Sequence, residues 1–208
     1  MRVITVEPVI FAYVFALAMA APLLQQYIYD ELSEHYNFTK HEDKICKDSS
    51  VSDNFTTLEN LVQTQSSHWF IGLSLSSSLP SLFATFMYGS MSDATGRKPL
   101  LVVALCGAFV RFIIVSLTVT FGWPFYFIFL GSFIEGLTGS FGTIAGLCLA
   151  YIIDSTDDNA RSIRLGVLEM SIIFAAMASF LCSGIWLKHS GYMPPLWAGT
   201  ILLFLVCL

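Results

Sequence analysis

Three charged residues stand inside long apolar stretches of this chain: Arg111, Glu135 and Glu169. A charged group near the centre of a bilayer costs on the order of 3 kcal/mol even on lenient insertion scales, so each needs a partner or water. Arg111 and Glu135 each sit about eleven residues from the outer end of their stretch, roughly 16 Å deep at about 1.5 Å per residue. Adjacent antiparallel helices bring such residues together, and the pair is expected to join directly or to share a wet central cavity. Two roles stay open. The pair locks two helices as a structural contact, or Arg111 attracts an anionic ligand while Glu135 tunes it or carries a proton. Glu169 lies about one turn inside its stretch. There it stabilises a helix N-terminus through the macrodipole, or it serves as a half-buried proton site.

The stretches that must hold these residues are membrane spans by composition. The chain has 208 residues, of which 55% are hydrophobic and only 12% charged. A soluble domain is nearer one-quarter charged, and the mean hydropathy is +0.70. Five apolar stretches and a sixth that reaches the last residue approach the ~20 residues a spanning helix needs. They run over about 9–29, 66–88, 100–120, 125–153, 165–187 and 195–208. The acids behind the formal net charge of −5 concentrate in the loops, and no basic tail invites nucleic acid. No phosphate-binding, dinucleotide or nucleophile motif appears, so the reading is of a protein that is not an enzyme. No metal is expected. Of the five cysteines only Cys46 lies outside an apolar stretch, and no zinc-type spacing occurs. The other four are expected to pack as small side chains.

Residues 30–65 are polar and acidic, with acceptor triplets for N-glycosylation at Asn37 and Asn54. Two such triplets in the only long loop place it on the lumenal or extracellular side. Arg2, the first apolar run and Ala18-Met19-Ala20 imitate a cleavable secretory signal, but Glu7 and Pro8 interrupt the basic region and apolar character continues to Leu24. Retention as a span is the expectation. Either outcome leaves the following loop outside.

In the second span, Ser67, Ser74, Ser78, Ser81 and Thr85 fall on one side of a helix. They face protein or a water-filled path, or bond back to their own helix. Pro80 can kink that helix beside a cavity. In the fourth span, Gly131, Glu135, Gly139, Gly142 and Gly146 share a narrow arc, and Gly142 with Gly146 forms a G-x-x-x-G that permits close helix approach. Basic residues of short loops, namely Arg97, Lys98, Arg161 and Arg164, lie on one side against Lys188 on the other. By the positive-inside rule the N-terminus is cytoplasmic. Asp154, at the end of the fourth span, is expected to partner Arg161 or Arg164 in a cytoplasmic charge cluster.

Between the second and third spans lies Gly89-Ser90-Met91-Ser92-Asp93-Ala94-Thr95-Gly96-Arg97-Lys98-Pro99. As G-x-x-x-D-x-x-G-R-K-P it resembles the signature loop of the major facilitator superfamily. Together with Ala150-Tyr151-Ile152-Ile153-Asp154, Arg161, Arg164 and Leu168-Glu169, it resembles the proton-coupled folate transporter family. Pro22-Leu23, Gln26-Tyr27 and Gly191-Tyr192 extend the similarity over essentially the whole chain. The resemblance implies an all-α membrane fold: the six-helix N-terminal half of a twelve-helix transporter, with its last helix truncated. It implies a substrate site between two halves, and a small organic solute moved with protons as the coupling ion, without a cofactor, at the plasma or lysosomal membrane. Gly89, Asp93, Gly96, Arg97 and Lys98 match the conformational gate. The glutamate matching Glu169 is associated with proton coupling in the folate member, whereas Glu135 matches no family pattern. A missing C-terminal half or a partner chain is expected to complete the machine. The alternative is a non-transporting membrane protein that associates with or regulates a full-length transporter.

Overall fold

The computed structural model describes residues 6–36 and 49–207, with the backbone alone for residues 49–56 and for Asp93, Asp158 and Asn159. Its helices are α1 (Glu7–His35), α2 (Ser49–Thr95), α3 (Arg97–Phe121), α4 (Tyr126–Thr138), α5 (Phe141–Ser155), α6 (Asp158–Ser190) and α7 (Met193–Cys207). Five segments are long and apolar enough to cross a membrane, with α4 and α5 together forming one of them; α7 is a shorter apolar helix. The fold is an all-helical bundle.

Local chemistry explains the ends. α1 opens with Glu7 in its first turn and a proline at its start. The proline forgoes an N–H that would be unpaired there, and the carboxylate suits the positive end of the helix dipole. The reversal between α2 and α3 turns on Gly96, at φ 88°, a left-handed conformation that a Cβ disfavours.

α1 packs chiefly on α6 and α7, α2 on α4, and α3 on α4 and α7. Two buried clusters result. One gathers Tyr13, Ala108, Phe112, Ile144 and Leu168; the other gathers Met19, Ile28, Val115, Ile128 and Leu196. Lipid is as apolar as these side chains, so helix association rests on close backbone approach and on polar contacts. A Cβ on Gly136 of α4 would lie 2.4 Å from the Ser77 carbonyl oxygen of α2, and one on Gly107 of α3 would lie 1.6 Å from the Thr138 hydroxyl of α4. Buried Ser116 and Thr200 link α3 to α7 hydroxyl to hydroxyl at 2.9 Å.

The structure revises several expectations. Residues 49–65 are helical and extend α2 beyond the apolar stretch. Their polarity marks water rather than loss of helix, and fully buried Val62 belongs to the same cluster as Ile28 and Leu32 of α1. The continuous span over 125–153 is in fact broken: α4 ends at Thr138, Gly139 has φ 95°, Ser140 is extended, and α5 begins at Phe141. Gly142 and Gly146 meet nothing within 4 Å of an added Cβ, so their G-x-x-x-G makes no close helix contact among the described residues. Gly107 and Gly136 take that role. Cys148 is buried, but Cys106 and Cys182 are exposed rather than packed. Cys46, Asn37 and Arg2 lie outside the described residues, as does the side chain of Asn54.

Aromatic rings collect at the end remote from Gly96. Trp69 of α2 packs on Phe125 at 5.4 Å and Phe129 at 5.7 Å, and Tyr27 meets Tyr192 edge-on at 5.8 Å. The Tyr192 hydroxyl donates to the Asp30 carboxylate of α1. Burial first, then that carboxylate, pushes the Tyr192 phenol above its ordinary range. Amphipathic rings at this level suit a membrane–water interface.

Candidate functional site

Arg111 and Glu135 meet. Arg111 Nη1 donates to Glu135 Oε2 at 2.7 Å. The Glu135 side chain is 2% exposed and that of Arg111 is 21% exposed. Arg111 comes from the middle of α3 and Glu135 from the last turn of α4, one turn before the break. α3 and α4 are antiparallel neighbours, so opposite charges at similar depth converge. The Ser77 hydroxyl of α2 approaches the same carboxylate oxygen at 3.5 Å, a long contact. Tyr13 of α1 is completely buried beside the pair. Its hydroxyl, like that of Ser132 one turn before Glu135, has no hydrogen-bond partner among the described residues.

A cavity of about 250 Å³ opens on this pair. Its polar wall includes Arg111, Glu135, Ser74, Ser77, Ser78 and Ser140. Non-helical backbone at membrane depth is tolerated where it lines such a space, and here the α4–α5 break does so. The Ser140 side chain makes no capping bond to α5. Ser140 and Phe141 line the cavity, so the positive dipole end of α5 flanks the space into which Arg111 reaches. Both features favour an anion.

The hydroxyls of α2 divide between the two readings open for them. Ser67, Ser74, Ser81 and Thr85 donate back to carbonyls of their own helix. Thr85 also meets the Thr143 hydroxyl of α5 at 2.7 Å. Ser76 and Ser77, off the expected stripe, are the serines that reach α4, Ser76 through the Phe129 carbonyl at 3.3 Å. The charge pair was the available signal for Ser77. Nothing in the sequence announced Tyr13.

Glu169 is exposed on α6 rather than half-buried as the proton-site expectation had it. The macrodipole reading fails, because α6 begins at Asp158 and Glu169 lies three turns in, whereas the dipole acts within the first turn. Around it stand exposed Val167, Met170 and Ile173. It does not share the Arg111–Glu135 cavity.

At the Gly96 end, Arg97 Nε lies 2.5 Å from Asp154 Oδ2, and Arg97 Nη1 donates to the Ser92 hydroxyl at 3.3 Å. Asp154 thus joins Arg97, not Arg161 or Arg164 as expected. The α3 N-terminus and the α5 C-terminus lie side by side, and this brings the two charges together. Arg164 instead donates from Nε and Nη2 to Glu7 Oε1 at 3.2 and 2.9 Å, tying α6 to α1. Arg161 lies in the first turn of α6. Lys98 sits with its ammonium 5.7 Å from the Tyr151 ring centre. Gly89 and Arg97 line a second cavity, of about 340 Å³, with Gly142 and Gly146 on its far wall. The Asp93 side chain lies outside the described residues.

A bundle of apolar spans around a charged cavity, with one helix broken beside it, is the architecture of a membrane transporter. The chain belongs to the Major Facilitator Superfamily, whose family model matches residues 8–208. It is 33% identical over 196 residues to the lysosomal proton-coupled steroid conjugate and bile acid symporter SLC46A3 of Gallus gallus, covering 92% of this chain and 42% of that protein. It is 31% identical over 205 residues to the proton-coupled folate transporter of Rattus norvegicus, covering 98% of this chain and 44% of that protein. The chain spans less than half the length of these relatives. It is an integral membrane protein of a transporter superfamily.

Proposed function

We propose that this chain forms the Arg-bearing half of a proton-coupled transporter for an organic anion, working by alternating access. The observation that carries the reading is the Arg111–Glu135 pair at a cavity beside a helix break. A paired arginine and an uncapped helix start together can hold a carboxylate or sulfate. Relatives named for folate and for steroid conjugates and bile acids supply the substrate class, because both groups include amphipathic organic anions. Arg111 anchors the anion. Glu135 and Glu169 are the protonatable groups, and Asp93 with Arg97 gates the face that carries Gly96. That face is cytoplasmic, the stretch 30–65 with its acceptor asparagines Asn37 and Asn54 is glycosylated on the outer side, and the membrane is plasma or lysosomal.

A carboxylate on an apolar helix face is a poor lipid contact. The exposure of Glu169 therefore supports a second half, or a partner chain, covering α6. It also keeps alive the reading of a non-transporting partner that associates with a full-length relative. Uptake of folates, steroid sulfates and bile acids, measured at acidic and neutral pH, separates the two. Uptake that rises at acidic pH in cells making this chain, alone or with a C-terminal half, and that falls at least tenfold in Arg111→Gln, supports transport. Stable association with a full-length relative, without such uptake, supports the partner reading.

A further inference from the structure

We infer that the cleft between α3, α5, α1 and α7 at the Gly96 end binds an anionic membrane phospholipid. The cleft holds about 260 Å³ and is separate from the Arg111–Glu135 cavity. Its chemistry is divided. Arg97 and Lys98 stand at the start of α3, where that helix meets the membrane face, and the remaining wall, including Val9, Leu101 and Leu105, is apolar apart from Tyr151 and the Cys207 thiol. Two consecutive cations above an apolar slot suit an amphiphile with an anionic head and a hydrocarbon tail. A free phosphate would leave the slot empty.

The charges at the mouth are unequal. Arg97 is engaged by Asp154. Lys98 is exposed and rests on the Tyr151 ring, and it has no carboxylate partner among the described residues. The start of α3 adds its own positive end, because Gly96 offers no side-chain cap. A phosphodiester placed there meets the Lys98 ammonium, the Arg97 guanidinium and the first free amides of α3. Val102, 48% exposed on the flank of α3, also lines the cleft, so the slot opens sideways to lipid. The volume is small beside a whole phospholipid. It holds the headgroup region and the upper part of one chain, and the rest of the lipid stays in the bilayer. Basic pockets between helices on the cytoplasmic side are a known setting for such headgroups, and the basic loops assign this end to that side.

The test uses the full chain in phosphatidylcholine vesicles doped with spin-labelled phosphatidylglycerol or phosphatidylcholine, with the motionally restricted fraction read by electron paramagnetic resonance. The expected result is a preference for phosphatidylglycerol that drops about fivefold in Lys98→Ala, the effect of one basic residue near a membrane surface. Lys188→Ala, at the opposite end of the bundle, should leave it unchanged. Val102→Trp fills the slot without touching charge and should also abolish the preference, with circular dichroism verifying helicity. Three results would each overturn the assignment: equal affinity for the two lipids, equal effects of the two lysine variants, or a preference that survives Val102→Trp. Displacement of the labelled lipid by soluble glycerophosphoglycerol would show a bare anion site and overturn it as well.

Discussion

Two arginine–carboxylate pairs in this bundle have nearly the same contact distance and very different surroundings. Arg111 and Glu135 meet at 2.7 Å with the carboxylate 2% exposed; Arg97 and Asp154 meet at 2.5 Å with the carboxylate 54% exposed. Glu7 and Arg164 are intermediate in burial, with side chains 17% and 22% exposed, yet their contact is the longest of the three at 2.9 Å. Distance therefore does not rank them. The Coulomb energy of a pair scales inversely with the local dielectric, and water around Asp154 screens what the protein interior leaves intact at Glu135. The cost of losing a partner is equally unequal. A stranded Asp154 is hydrated, whereas a stranded Glu135 is a buried charge without a counter-ion.

That contrast can be broken most sharply at Arg111. Arg111→Met should destabilise the purified chain by about 3–5 kcal/mol, the usual result of stranding one member of a buried pair. Arg111→Met combined with Glu135→Leu should recover most of that loss, because apolar replacements of a whole buried pair are tolerated. Thermal unfolding in detergent, followed by intrinsic fluorescence, reads both. A single variant as stable as wild type would mean the pair is solvated through its cavity. Next in size is Arg164→Gln. It removes two charged donors from Glu7 and should cost about 1.5–3 kcal/mol, with increased proteolytic accessibility at the α1 start as an independent readout. The smallest effect belongs to Asp154→Asn, at about 0.2–1 kcal/mol, shrinking further in high salt. If Asp154→Asn destabilised as much as Arg111→Met, burial would not be what separates the pairs. A transport phenotype in Asp154→Asn without a stability change would instead locate its work in gating.

Legibility from the sequence followed the same divide. Arg111 and Glu135 could be paired in advance because hydrocarbon leaves a mid-span charge few solutions, and antiparallel neighbours set their depths alike. Asp154 could not be assigned, because at a hydrated helix end several arginines were within reach and only the lateral placement of α3 and α5 selected Arg97. Glu169 was misplaced through the helix start. The charged residues from Asp158 onward read as a loop, yet they continue α6, since a helix remains helical after it leaves the bilayer. The glycines of the fourth span carried the deepest ambiguity. A glycine can serve close packing or a left-handed break, and both leave the same letter in the chain.

Composition and spacing alone determined a helical membrane protein, the approximate places of its spans, and the convergence of one arginine and one glutamate at depth. Those follow from the cost of placing polar groups in hydrocarbon, a cost that depends on residue type. Tertiary structure decided that the fourth span breaks at Gly139, that Gly107 and Gly136 rather than Gly142 and Gly146 carry the close approaches, that Tyr13 stands beside the charge pair, and that Arg97 takes Asp154. Each of these depends on which helix lies against which. That choice is made by steric fit between neighbouring helices, and no single helix encodes it.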